Sequence, residues 1–117
     1  MTEKEYFDTT VASVLVKTGY SIDIQMLDHM TLDGKHKRAL GCCCQFDGHY
    51  SITIDEYFVT ECFEHFVLKN KYSSWNLTGQ SLEEVICHEL AHIEVWRHGK
   101  KHTALMNDLL AKVNSNT

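Results

Sequence analysis

The stretch from Ser81 to Val113 constrains the fold more than any other part of the chain. Ser81-Leu82-Glu83-Glu84 reads as a capping box, with serine at the N-cap and glutamate three residues into the helix. That helix carries Val85 and Ile86, which would bury one side of it, and then the pattern His88-Glu89-Leu90-Ala91-His92. Gly99 is expected to end the helix and let the chain reverse. A last helix is expected from about His102 to Val113, with Met106, Leu109, Leu110 and Val113 on its inward stripe. Two one-sided helices joined by a short bend need a further layer to cover.

The upstream half supplies it. Glu3 to Lys17 reads as a helix with Phe7, Val11, Val14 and Leu15 on one stripe and Gly19 at its C-terminal cap. Ser21 to Met26 alternates polar and apolar residues, the period of a strand with one buried face. Asp33-Gly34 marks a turn. Ala39 to Phe46 is expected to be a second strand with Leu40, Cys42, Cys44 and Phe46 on one face. Asp47-Gly48 signals a hairpin, and Tyr50 to Ile54 returns with Ile52 and Ile54 inward. Asp55 can cap a helix from near Glu56 whose stripe is Phe58, Val59, Cys62, Phe63, Phe66 and Val67. The expectation is an α+β fold: a small three-stranded antiparallel sheet packed with about four helices, the histidine motif on the third.

Composition places limits on function. The 117 residues predict a single domain, and a chain of this size buries roughly two thirds of its unfolded surface. The net charge of -5 argues against a direct nucleic-acid binder, which usually carries a basic excess. Basic clusters such as Lys35-His36-Lys37-Arg38 read as solvated loops. MTEKEYFD has no apolar region of a signal peptide, and no apolar run approaches a membrane span. Five cysteines are an odd number, and Cys42-Cys43-Cys44 is poor spacing for a disulfide framework, so a reducing cytoplasm is expected. Adjacent cysteines on a strand point to opposite faces, which favours packing and a free thiol over a shared ion. Cys87 reads as a buried small hydrophobe.

Four of the eight histidines lie between Val85 and Met106. Residues i and i+4 on a helix stand about 40° apart with Cβ atoms about 6 Å apart, so His88 and His92 can reach one zinc ion. Glu89 beside them can take a proton from zinc-bound water, and the same zinc can polarise a carbonyl under attack. A histidine-rich helix carrying this pattern by accident is the plain alternative. A catalytic zinc needs a third protein ligand and an open fourth position. No glutamate follows Glu94. His98 stands six residues after His92, the metzincin spacing, but Val95 occupies the position where metzincins need glycine. On a helix continuing to residue 98 it would also lie far around the axis. His102, opening the last helix on the core-facing stripe, is preferred as third ligand. His98 then remains the alternative ligand, a group beside the site that stabilises an oxyanion, or an exposed helix-end histidine.

The segments VICHELAH and HTALMNDLLAKV resemble the SprT-like (Spartan-like) zinc metalloproteases, and the related YgjP-like, or WLM, metallopeptidases look similar. Members commonly carry Leu-x-His-Glu-Leu-Ala-His on an apolar helix and, after a short turn, His-Gly-x-x-Phe opening another. The resemblance covers about Ser21 to Val113 and is strongest from Ser81 on. It implies a zincin-like, single SprT-like metallopeptidase domain over residues 1–117. Zinc would be the cofactor, His88, His92 and His102 its ligands, and Glu89 the catalytic base. It also implies a protein or peptide substrate and an indirect association with DNA through DNA-associated proteins. Thr103 departs from the family's glycine and Met106 from its aromatic.

Trp96, one turn after His92, could roof the zinc cleft or sit in the core. Tyr72 and Trp75 could line a groove in which an edge strand pairs with an extended peptide, or anchor their loop. His29, His36, His49 and His65 have no ligand partner at useful spacing. The first functional expectation is a zinc-dependent metallopeptidase. The second is a zinc-stabilised protein-binding module without turnover. Hydrolysis of a non-peptide amide is a third, since this zinc geometry does not fix the substrate.

Overall fold

Capping chemistry sets the helix ends. The Thr2 side chain accepts from the Glu5 N–H while the Glu5 carboxylate accepts from the Thr2 N–H, a complete capping box that launches α1 (Glu3–Thr18). Gly19, at φ 81°, closes the helix with its N–H on the Leu15 carbonyl. The Asp55 carboxylate accepts from the Phe58 N–H at 3.3 Å and starts α2 (Glu56–Cys62), whose chain runs on through a wider π-turn at Phe63–Val67. At Ser81 half of the expected box forms. Its hydroxyl accepts from the Glu84 N–H at 3.2 Å and donates to the Glu84 carboxylate, opening α3 (Leu82–Glu94). The last helix is α4 (Lys100–Asn114).

The computed structural model describes residues 1–28, 39–70 and 79–115. Among these, four helices accompany a three-stranded sheet of β1 (Asp23–Leu27), β2 (Gly41–Phe46) and β3 (His49–Asp55). The class is α+β, as expected. The sheet is mixed rather than purely antiparallel. Its order is β1-β3-β2, with β1 parallel to β3 and β2 antiparallel to it. Asp47 and Gly48, at φ 52° and 77°, make the tight turn expected between β2 and β3.

Register decides which face of each strand is buried. Ile24 and Met26 pair with Ile52 and Ile54, and Cys43 and Gly41 pair with the same two isoleucines from the other side. Directly opposed residues share a face, so Gly41 and Cys43 point inward. Cys42, Cys44 and Phe46 share one face, as expected, and it is the face turned away from the core, with Phe46 84% exposed at the hairpin tip. Cys42 and Cys44 lie side by side on that outer face with their sulfurs 3.6 Å apart.

The inward face packs on α3, which also contacts α1 and α4. Leu82, Ile86, Cys87, Leu90 and Ala91 of α3 are fully buried against Val14, Ile52, Ile54 and Val59. Each fully buried leucine or isoleucine contributes about 1.5–3 kcal/mol, so this contact is the main source of stability. Phe66, expected on the apolar stripe of the second helix, is 42% exposed because the π-turn rotates it outward. Leu109 and Val113 of α4 are buried, and Met106 and Leu110 pack against the core at its edge. Asp33-Gly34, Lys35 to Arg38, His29, His36, Tyr72 and Trp75 lie outside the described residues. Among those described, no helix is long and apolar enough to cross a membrane.

Candidate metal centre

The helix carrying the motif stops sooner than Gly99. It ends at Glu94, and Val95 takes an extended conformation at φ -127°, ψ 92°. The reason is local. The Nδ1–H of His92 donates to the carbonyl of Trp96 at 2.8 Å, which pulls the chain back over the helix end. Gly99 serves the next helix instead: its φ of 152° with ψ -166° is a region that essentially only glycine enters. Between these points the chain turns, and His98 does not continue around the helix axis.

The early turn brings four histidines together. Each of His88, His92, His98 and His102 offers one ring nitrogen, and these four atoms lie within 4.8 Å of one another. His98 Nε2 is 3.1 Å from His92 Nε2 and 3.2 Å from His88 Nε2. His102 is 2% exposed, and its Nε2–H donates to the His88 carbonyl at 2.9 Å. A carbonyl only accepts, so the lone pair of His102 is on Nδ1. By the same logic the lone pair of His92 is on Nε2, because its Nδ1 carries the proton given to Trp96.

The fit to a cation follows from these tautomers. A ring nitrogen carries either a hydrogen or an in-plane lone pair. His98 Nε2 touches two other ring nitrogens, so one hydrogen would have to serve both contacts. A cation satisfies every lone pair at once. At imidazole bonds of about 2.0–2.1 Å, a tetrahedral ion sets its ligand nitrogens about 3.3–3.4 Å apart, close to the 3.1 and 3.2 Å that separate His98 Nε2 from the Nε2 atoms of His92 and His88. Burial, reinforced by the neighbouring His102, His92 and His98, pushes the His88 imidazole down to about 4, and burial also lowers that of His92. Both shifts favour, for His88 and His92, the neutral form that ligates. These four residues can hold a metal ion.

Glu89 completes the site. It is 6% exposed, and its carboxylate stands 4.0 Å from His88 Nε2. Burial pushes it up to about 7, opposed by the hydrogen bond it accepts from the Cys43 N–H. A carboxylate near neutrality is suited to taking and returning a proton. Gly41 makes the arrangement sterically feasible. A Cβ there would lie 2.9 Å from Glu89 Cγ and 2.9 Å from Val85 Cγ1. Two clefts meet along this contact. One, of about 190 Å³, is bounded by Leu40, Gln80 and Val85, and the other, of about 340 Å³, by Cys42, Trp96 and His98. Gly41, His88 and Glu89 border both.

Sequence reasoning grouped His88, Glu89, His92 and His102 and ranked His98 behind His102. The structure brings all four histidines to one place. Trp96 is 55% exposed and borders the larger cleft, so it is not a core residue. Sequence reasoning missed three contributors: the Trp96 carbonyl, the Cys43 N–H and Gly41. An isolated glycine in a strand signals close backbone approach, so Gly41 was legible in principle. No family model, no curated protein and no solved structure matches this chain.

Proposed function

We propose that this protein is a zinc-dependent metallopeptidase, with a protein or peptide as substrate. The observation that carries the reading is the convergence of four imidazoles beside a buried carboxylate. The resemblance of the helix and turn to SprT-like metalloproteases, and the zincin-like arrangement it implies, support the same reading. That resemblance extends to DNA-associated protein substrates. With a net charge of -5, any link to DNA would run through the substrate rather than this chain.

His88 and His92 would hold the ion through Nε2, and His102 through Nδ1. When bound, zinc supplies Lewis-acid polarisation and makes water more acidic. The chain does the rest. Trp96 fixes the tautomer of His92, and the His88 carbonyl fixes that of His102. The Cys43 N–H aims the Glu89 carboxylate, which accepts the proton of the attacking water and returns it to the leaving amine. The clefts on either side of Gly41 give an extended chain room to pass the carboxylate.

The test is Glu89→Gln. It should retain one zinc per chain and lose roughly 10²–10⁴-fold in hydrolysis of an unstructured protein such as casein. A second reading has its own support. Four protein ligands leave no open position, the pattern of a structural zinc site. Equal inertness of wild type and Glu89→Gln across several unfolded substrates would favour that zinc-stabilised binding module.

A further inference from the structure

Three of the four histidines are anchored and one is not. His88 and His92 ride on α3, and His92 is tied to the Trp96 carbonyl. His102 is buried on α4 with its Nε2–H on the His88 carbonyl. His98 is exposed and lies in the irregular segment between Val95 and Gly99. Its hydrogen-bonding contacts among the described residues are the imidazoles of His88 and His92. Only Arg97 and His98 separate the tied Trp96 carbonyl from Gly99, whose backbone stands in a glycine-only conformation.

We propose that His98 is a fourth and displaceable ligand of the ion held by His88, His92 and His102. In the resting protein it fills the position that a substrate carbonyl or a small anion takes when the segment 97–98 swings out. This would reconcile the two readings above, since one site is closed at rest and open in use. The proposal rests on the metal site of the metallopeptidase reading, not on its turnover. A swing of Arg97 and His98, both exposed, needs no rearrangement of α3 or α4, whose contacts are with each other and with the core.

The consequence is measurable without hydrolysis. A ligand that competes with a resident group binds more weakly by the fraction of time the position is open. If His98 leaves the position open for about 1–10% of the time, removing it should tighten anion binding roughly 10- to 100-fold. The experiment loads the full chain with Co²⁺ and titrates azide while following the visible d–d band, in wild type, His98→Ala and His98→Gln. The expected result is one cobalt in each protein, with azide bound at least about tenfold more tightly by both variants. Circular dichroism checks that each variant is folded.

Equal azide affinity in all three proteins would overturn the proposal, because His98 would then not occupy the position. Loss of cobalt from both folded variants would overturn it too, because His98 would be an obligatory ligand. Failure of the wild type to bind cobalt would remove the metal site and the proposal with it. If azide binding tightens as expected and neither wild type nor variant cleaves peptides, the displaceable ligand stands and the metallopeptidase reading falls.

Discussion

Replacing Gly41 with alanine places one methyl group where α3 crosses the edge strand. The new carbon would meet Glu89 Cγ and Val85 Cγ1 at 2.9 Å each, and Glu89 Oε2 at 3.1 Å. Carbon pairs rest at about 3.5–4.0 Å, so the helix and strand must part by roughly 0.6 Å or Glu89 must change rotamer. Neither neighbour is at the free end of an exposed side chain: Val85 is 3% exposed and Glu89 6%. Overpacking of this kind costs about 1–3 kcal/mol. Against it, removing a glycine from the unfolded chain favours the variant by about 0.4–1 kcal/mol. The steric effect wins, leaving a net loss of about 1–2 kcal/mol. For a chain of this size that lowers Tm by about 4–10 °C. The assay is urea unfolding of wild type and variant, followed by circular dichroism. Hydrolysis should fall further than stability explains, because the displaced carboxylate leaves the Cys43 N–H. A variant as stable as wild type, or more stable, would refute the reasoning, since only the glycine-to-alanine entropy gain would then operate.

Gly99→Ala should also destabilise, by about 1–3 kcal/mol, because φ 152° with ψ -166° is closed to alanine. Its zinc affinity should drop as well, since the turn places both His98 and His102, and titration with a chelator as competitor reads this out. Adding zinc at a hundred times its dissociation constant should stabilise the wild type by about 2.7 kcal/mol, seen as a Tm increase that a chelator reverses. An unchanged Tm would mean that the folded state holds no zinc.

Much of the fold could be read from single residues whose role is local. Gly19, Asp55 and Ser81 mark helix ends because their backbone or side-chain chemistry acts within one turn. Asp47-Gly48 fixed a hairpin for the same reason. Strand direction was not legible. The alternation from Ser21 to Met26 reports a buried face, but neither a neighbour nor an orientation, so the parallel pairing of β1 with β3 stayed hidden. Which face of β2 turns inward was hidden for a different reason. Three successive cysteines carry no alternation, and the inward side is set by Gly41 against Val85 and Glu89, a contact between residues far apart in sequence.

The site divides along the same line. The spacing of His88, Glu89 and His92 is a property of one helix turn, so the sequence displays it. The arrival of His98 depends on where α3 stops. Val95 and Trp96 extend the apolar pattern past Glu94, and no proline or glycine intervenes before Gly99. What ends the helix is a side-chain bond from His92 to a backbone carbonyl four residues on, which no residue-type pattern announces.

The central claim is that these imidazoles share one divalent cation, and equilibrium dialysis against zinc tests it most directly. Wild type and the double variant His88→Ala/His92→Ala are dialysed side by side, and the metal retained above buffer is measured by mass spectrometry. One zinc per wild-type chain, with none above buffer in the double variant, is the expected result. Wild-type protein holding no more zinc than its buffer, or a double variant holding as much as wild type, would contradict the claim.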